Sequence, residues 1–456
     1  MRAKPVILLF VIFLSFKISA DTALDDEAVK WLQDYLQVDT TNPPGNESRA
    51  VAFYADILER EGVTYQTAES APGRGNLWAR LKGGAGPALI LLQHTDVVPA
   101  NQAFWTTDPL SGQIHDGFIW GRGALDMKGT GIGQLAAFLD LHRSGRALNR
   151  DVVFLATADE EAGGAFGVGW LVEHHPEIFA NAGLLINEGG SGFRSNKDII
   201  FRVEVTQKVP VWFRLTAVDT PGHGSSPRPT SSVTRIIQAL NSIREKPFAA
   251  RIIPEVERLF HEASKSMQGD MAKAYADIKQ AIKAPGFLEE LQAYSASNHA
   301  LTRDTCSITR MGGSTKINVV PPIAWAEVDC RMLPDRTAQE FVEDFEQLIA
   351  GTGVEVEVIM AFTPAISPVD TVLFKAIESE TALRYPNSRV VPSVSTGFTD
   401  SHFTRDLGIA SYGFSPLIVA ADEYSRIHGN DERVNERAFR QAVLDLSRII
   451  SRVVHE

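Results

Sequence analysis

Cysteine is nearly absent: two of 456 residues, Cys306 and Cys330. That excludes a disulfide-built scaffold. Both lie in strand-like segments that flank a turn-rich stretch. One cross-strand disulfide in an oxidising compartment and a pair of buried free thiols both fit that placement. Long apolar runs are missing too. The longest, Val6 to Phe16, is too short to cross a bilayer comfortably. Positive charge is in deficit, with a net charge of −12. Such a chain is a poor partner for nucleic acid or an anionic membrane. No G-x-S-x-G, H-E-x-x-H or C-x-x-C string occurs, so nothing supports a serine hydrolase or a thiol redox enzyme. Internal repeats and long low-complexity tracts are absent as well.

What is present reads as a globular protein, 44% hydrophobic and 22% charged. The length implies two domains, or one domain carrying an insertion. The first twenty residues have the form of a secretory signal. Arg2 and Lys4 precede the apolar run, and Ile18-Ser19-Ala20 ends it with a small residue before polar Asp21. A secreted or periplasmic protein is expected, without stable membrane insertion once residues 1–20 are removed.

Three apolar runs, Ala88 to Leu92, Val152 to Ala156 and Leu184 to Ile186, are continuous rather than alternating. That is the pattern of strands buried on both faces, as in a parallel sheet. Helical segments near Gly131 to Leu141 and Val168 to His174 separate them. The expected fold is therefore α/β, a mostly parallel central sheet with flanking helices. Phe201 to Val218 alternates like one half-exposed strand. An α+β insert follows, with a charge-rich helical stretch at about 247–300. These features predict a signal at 1–20, a first catalytic part at 21–203, an inserted lid at 204–362 and a second catalytic part at 363–456.

Ligands of parallel α/β sheets bind beyond the carboxyl ends of the strands. The first apolar run ends in Gln93-His94-Thr95-Asp96, the second reaches Asp159-Glu160-Glu161, and the third ends in Asn187-Glu188. Three buried strands that all end in metal-binding or acid–base side chains are hard to ascribe to solvation. A glycine-rich turn adds Asp126, and a polar loop near the C-terminus adds His428. The Gly131-Ile132-Gly133 stretch follows this turn rather than a buried strand, so it reads as helix packing and not as a nucleotide site.

Seven strings, HTDVVP, GRGALDMKG, TADEEAGG, INEGG, TPGHGSSP, GGSTKINVVPP and IHGNDERV, occur in that order along the chain. Together they resemble the two-metal amidohydrolases and exopeptidases, the family of aminoacylase-1, carboxypeptidase G, carboxypeptidase S and succinyl-diaminopimelate desuccinylase. The resemblance implies a zinc-exopeptidase-like catalytic domain with an inserted lid and dimerisation domain. It implies two divalent ions, Zn2+ before Co2+ or Mn2+ given mixed imidazole and carboxylate donors. His94 and Glu188 would hold one ion, Glu161 and His428 the other, with Asp126 between them and a cis bond after it. Glu160 would be the general base, and Asp96 would accept from the second ring nitrogen of His94. His223 would steady the oxyanion, reaching there from a neighbouring subunit of a homodimer. Asn318 and Arg331 would hold a substrate carboxylate, and Gly397 and Thr399 would line the pocket. Arg331 could instead form a structural ion pair with Asp329 or Glu327.

The implied function is cleavage of an amide beside a free carboxylate, in an N-acyl amino acid or a short peptide. A glutamate at position 188 favours that reading over an aminopeptidase or dipeptidase. A non-catalytic binding module on the same fold is a third reading. It predicts a missing ligand or base, and none is missing.

Overall fold

The computed structural model describes residues 24–195 and 198–456. The predicted signal at residues 1–20 lies outside them. No helix among the described residues is long and apolar enough to cross a membrane.

The first half of the chain supplies seven strands to the large sheet: β1 (Tyr65–Glu69), β2 (Gly75–Leu81), β3 (Gly86–His94), β4 (Arg150–Thr157), β5 (Ala182–Asn187), β6 (Gly192–Ser195) and β7 (Asp198–Gln207). An inserted unit adds β8 (Val209–Val218), β9 (Thr305–Gly312), β10 (Ile323–Met332) and β11 (Glu355–Ala361). The chain then returns with β12 (Ser388–Ser395), β13 (Ala410–Gly413) and β14 (Ile418–Val419). Among the described residues these form a ten-stranded sheet, ordered β1-β2-β4-β3-β5-β13-β7-β6-β14 with β12 on β7, and a four-stranded sheet, ordered β9-β10-β8-β11. The middle of the large sheet, β4-β3-β5-β13, is parallel throughout. Its outer strands pair mainly antiparallel.

The continuous apolar runs behave as expected. Ala88 to Leu92 and Val152 to Ala156 are fully buried, because helices cover both faces of the sheet. One covering helix, Lys128–Ser144, is buried along nearly its whole length. Its Gly131 is what allows such close seating, since a Cβ there would stand 1.7 Å from Gln93 Oε1 on β3. Gly131 is thus a packing device, whereas a Cβ at Gly133 would meet only Leu446 at an ordinary 3.6 Å. The C-terminal helix, Glu436–His455, lies outside it and presents Phe439, Val443, Leu446, Ile450 and Val454 at helical spacing to the core.

Two sequence expectations change. Phe201 to Val218 is not one strand. It spans β7, which belongs to the large sheet, and β8, the centre of the lid. The crossing falls at Lys208 rather than at 203/204. The helical stretch near 247–300 also does not extend the lid core. Val256, Leu259, Phe260 and Leu291 pack with Val391 and Val394 of β12, so these helices dock on the large sheet. The lid has its own core, in which Phe213 of β8 stacks on Phe345 at 3.9 Å beneath the helices Ser232–Glu245 and Ala338–Leu348. Cys306 and Cys330 face each other across β9 and β10 and form a disulfide.

Candidate metal centre and active site

The parallel middle of the sheet delivers the site. His94 is the last residue of β3, Glu160 and Glu161 form a single helical turn after β4, and Glu188 directly follows β5. Asp126 sits at the start of the buried helix, and its bond to Met127 is cis. His428 closes the group from the loop before the C-terminal helix.

Asp126 occupies the centre. Its Oδ1 lies 3.1 Å from His94 Nε2, and its Oδ2 lies 3.2 Å from His428 Nε2. His94 Nε2 is also 3.5 Å from Glu188, and His428 Nε2 is 3.1 Å from Glu161. One carboxylate therefore serves two imidazoles, each with a second carboxylate of its own. Two groups have ligand atoms within 4.8 Å of one another: His94 with Asp126 and Glu161, and His94 with Glu160 and Glu188.

The electrostatics of this cluster suit cations. Burial and the charge on Asp126 push Glu188 up to about 8. Burial, reinforced by Glu188, drives Glu160 well above the carboxylate range. Burial opposes ionisation of Asp126, yet hydrogen bonds from His428 and His94 hold its carboxyl low. His428, bonded to Asp126 and Glu161, is raised to about 10. Three carboxylates and two imidazoles thus crowd their lone pairs into one small volume around Asp126. Mixed imidazole and carboxylate donors fit divalent metal ions.

Asp96 departs in part from its expected role. The nearest acceptor for His94 Nδ1 is the Asp96 backbone carbonyl at 3.0 Å, with the carboxylate Oδ1 at 3.4 Å. The carboxylate chiefly organises the acidic turn, accepting from the backbone N–H of Glu160 at 3.1 Å, that of Glu161 at 3.2 Å and Asn42 Nδ2 at 2.7 Å.

Several supporting residues escaped the sequence reading. Glu432 is fully buried and pairs with Arg122. It also accepts from the backbone N–H groups of Gly123, Leu125 and Asp126 at 2.8–3.1 Å, which holds the Asp126 turn in place. Asp159 takes a left-handed backbone (φ 74°), as does His428 (φ 58°). Such conformations cost roughly 1 kcal/mol or more and persist where surrounding contacts enforce them. For Asp159 those contacts are Arg74 at 2.6 Å, itself bound to buried Glu47 at 2.8 Å, and the Phe166 N–H at 3.0 Å. The signal for Glu432 lay in the string IHGNDERV, where only the histidine stood out.

The remaining candidates lie apart from the cluster. Arg331 forms the alternative pair, with Nε and Nη2 bonded to Asp329 at 2.7 and 3.0 Å. Its buried Nη1 has no partner among the described residues, and its guanidinium lies 5.2 Å from the Phe398 ring. Gly397 is exposed. Thr399 is buried, its N–H donating to Gln207 Oε1 at 3.1 Å. His223 and Asn318 stand on an exposed two-stranded ribbon of the lid, where Gly224 N–H donates to the Asn318 carbonyl at 2.9 Å. His223 Nδ1 bonds Ser225, and no contact joins the ring to the His94 cluster among the described residues. His402, beside Asp400 in the loop that carries Thr399, is not exposed. It is buried against Phe362 at 3.6 Å, and burial lowers its pKa to about 3.

Comparison with known proteins places this geometry in context. The model of "Peptidase family M20/M25/M40" matches residues 90–452. The N-fatty-acyl-amino acid synthase/hydrolase PM20D1 of Xenopus tropicalis is 30% identical over 357 residues, covering 76% of this chain and 69% of that protein. Human aminoacylase-1 is 26% identical over 434 residues, 93% of this chain and 94% of that one. Among solved structures, the M20 family metallo-carboxypeptidase Sso-CP2 from Sulfolobus solfataricus superposes with a TM-score of 0.73. The identity is 20%, and the match covers 94% of this chain and 99% of that one.

Proposed function

The chain belongs to peptidase family M20/M25/M40, and on that premise we propose that it cleaves an amide bond next to a free carboxylate. As a family member it is a metal-dependent hydrolase of amide or peptide bonds. The finer reading is an N-acyl amino acid deacylase, or a carboxypeptidase acting on short peptides. The observation that carries the catalytic reading is Asp126, whose two oxygens each face one imidazole of the pair His94 and His428.

In this reading His94, Asp126, Glu161, Glu188 and His428 would hold two divalent ions, with zinc the best match to the donors. When bound, such ions supply Lewis acidity and lower the pKa of a shared water. The chain's own residues do the rest. Glu160 takes the proton from the attacking water and returns it to the leaving amine. Asp96 fixes both the His94 ring and the turn that presents Glu160 and Glu161. The spare Nη1 of Arg331 suits a carboxylate oxygen, and Asn318 adds a second donor. His223 stands on the same lid ribbon as Asn318, away from its own chain's cluster. A partner copy, placed through the lid, is the source that fits an oxyanion donor so located. The substrates named for aminoacylase and N-fatty-acyl-amino acid relatives support an N-acyl amino acid. The Cys306–Cys330 disulfide, like the N-terminal run, supports secretion or a periplasmic location.

A substrate panel tests the reading. The zinc-loaded protein is assayed on N-acetyl amino acids, on N-blocked dipeptides with a free or amidated C-terminus, and on dipeptides with a free amine. Turnover of the free-carboxylate substrates with loss on amidation is expected. Efficient cleavage of amidated peptides would instead indicate the aminopeptidase or dipeptidase alternative.

A further inference from the structure

A second cavity has no role in the amide-hydrolase reading. It lies between β6, β14 and the first turn of the helix Glu436–His455, with a volume of about 910 Å³. Clefts that take small molecules run from roughly 300 to 1,000 Å³, so the space suits one ligand of moderate length. None of the residues of the His94–Asp126–His428 cluster lines it. Its floor is apolar, with Leu417, Val419 and Val434 buried along it. Its rim is basic. Four arginines, Arg194, Arg384, Arg433 and Arg437, line the cavity against one carboxylate, Glu423. In a chain of net charge −12 this is a local reversal of sign.

The single carboxylate is already engaged. Arg433 donates to Glu423 through Nε at 3.0 Å and Nη2 at 2.7 Å, and Arg426 Nε lies 3.2 Å from the same group. Arg384 donates to Gln441 Oε1 at 2.6 Å. Arg194 and Arg437 are exposed at the rim, and neither guanidinium has a hydrogen-bond or ion-pair partner among the described residues. The positive end of a 20-residue helix meets the same space through Asn435, Arg437 and Ala438. Two short routes lead from this wall to the metal cluster. The helical turn Ala421–Tyr424 lines the cavity through Ala421 and Glu423 and runs on to His428. Arg433 directly follows Glu432, whose carboxylate accepts from the N–H groups of Leu125 and Asp126 at 2.8 and 3.1 Å. A ligand seated here would brace the segments that carry His428 and fix Asp126.

We propose that this cavity binds an amphipathic anion, an apolar chain that ends in a phosphate or carboxylate, and that its occupancy tightens the metal centre. The oxyanion meets the forked donors of Arg194 and Arg437 at the helix N-terminus. The chain lies on Leu417, Val419 and Val434. The site is distinct from the one that takes the scissile amide, and a ligand here regulates rather than reacts.

Titration calorimetry on the zinc-loaded chain tests the site with octyl phosphate, octanoate, octanol and inorganic phosphate. At least one of the two amphipathic anions should bind about tenfold or more tightly than octanol and inorganic phosphate, and the tighter of the pair identifies the oxyanion. The double substitution Arg194→Gln and Arg437→Gln should weaken that binding about tenfold or more, as for loss of charged hydrogen bonds, with thermal unfolding unchanged. Arg437→Glu alone, at an exposed position, should weaken it as well. An anion held on the metals would ignore all three substitutions. Affinity that does not respond to them, or octanol binding as tightly as the anions, would overturn the site. Zinc should tighten the anion about fivefold or more relative to the chelated chain, and the anion should tighten zinc by the same factor, since coupling is reciprocal. The double substitution should abolish that difference. Equal anion affinity with and without zinc would overturn the coupling. None of these readouts uses turnover, so failure of the hydrolase reading would leave them standing.

Discussion

Two adjacent glutamates, Glu160 and Glu161, occupy one helical turn and face different partners. Glu161 points to His428, whereas Glu160 groups with His94 and Glu188. The division follows from the turn itself, because Asp96 pins both backbone N–H groups with a single carboxylate. Glu160→Ala should reduce kcat by about 10²–10⁴-fold, the usual contribution of a general base, while the protein keeps its metal. Turnover and metal content measured on the same preparation check this, and near-normal turnover would remove Glu160 from the mechanism. The residue types at His94, Asp126, Glu160, Glu161 and Glu188 were legible in the sequence, because each follows a buried strand or a glycine turn, whereas His428 stood out only through the string IHGNDERV. Glu432 was not legible. Its importance lies in which backbone N–H groups it reaches, some three hundred residues away.

At the scale of elements, the junction between sheet and lid turns on Lys208. It separates β7 from β8, and its buried ammonium donates to the carbonyls of Ala300 and Arg303 and to Thr305 Oγ1 at 2.8–2.9 Å. One lysine thereby ties the end of the docked helices to the start of β9. Burial lowers its pKa from 10.5 to about 7. Between those values the unfolded chain binds more protons than the folded one, so stability rises with pH across that window and falls again towards pH 7. Lys208→Met should remove this component. The stability difference between wild type and variant should therefore change with pH by at most about 1.4 kcal/mol per unit between pH 7 and 10.5. Urea unfolding at pH 7.5 and 9.5 measures it, and parallel curves for the two proteins would refute it. Local patterning misplaced this junction because β7 and β8 run together as one alternating stretch. Only their pairing partners, β12 and β13 against β10 and β11, assign them to different sheets.

At the scale of the whole molecule, we propose that His223, which touches no member of the cluster of its own chain among the described residues, serves the site of a partner copy. In a two-fold dimer that exchanges this residue, each site takes Glu160 from one copy and His223 from the other. Glu160→Ala and His223→Ala proteins should each be inactive alone. Refolded together, they should recover roughly a quarter of wild-type activity, since half of the dimers are mixed and each mixed dimer holds one intact site. No recovery, with mixed dimers verified by mass, would place His223 outside the partner's site.

The sequence by itself determined the fold class and pointed to the side chains that gather around Asp126. These are local signatures: strand burial shows as continuous apolar runs, and a parallel sheet puts chemistry where such runs stop. Tertiary structure alone decided the rest. It set β13 beside β5 and docked the helices of 254–300 on the large sheet. It joined Cys306 to Cys330, gave Arg331 to Asp329 and gathered Arg194, Arg384, Arg433 and Arg437 around one cavity. Each of these depends on which surfaces meet, and side-chain pairing between separate elements leaves little trace in local periodicity.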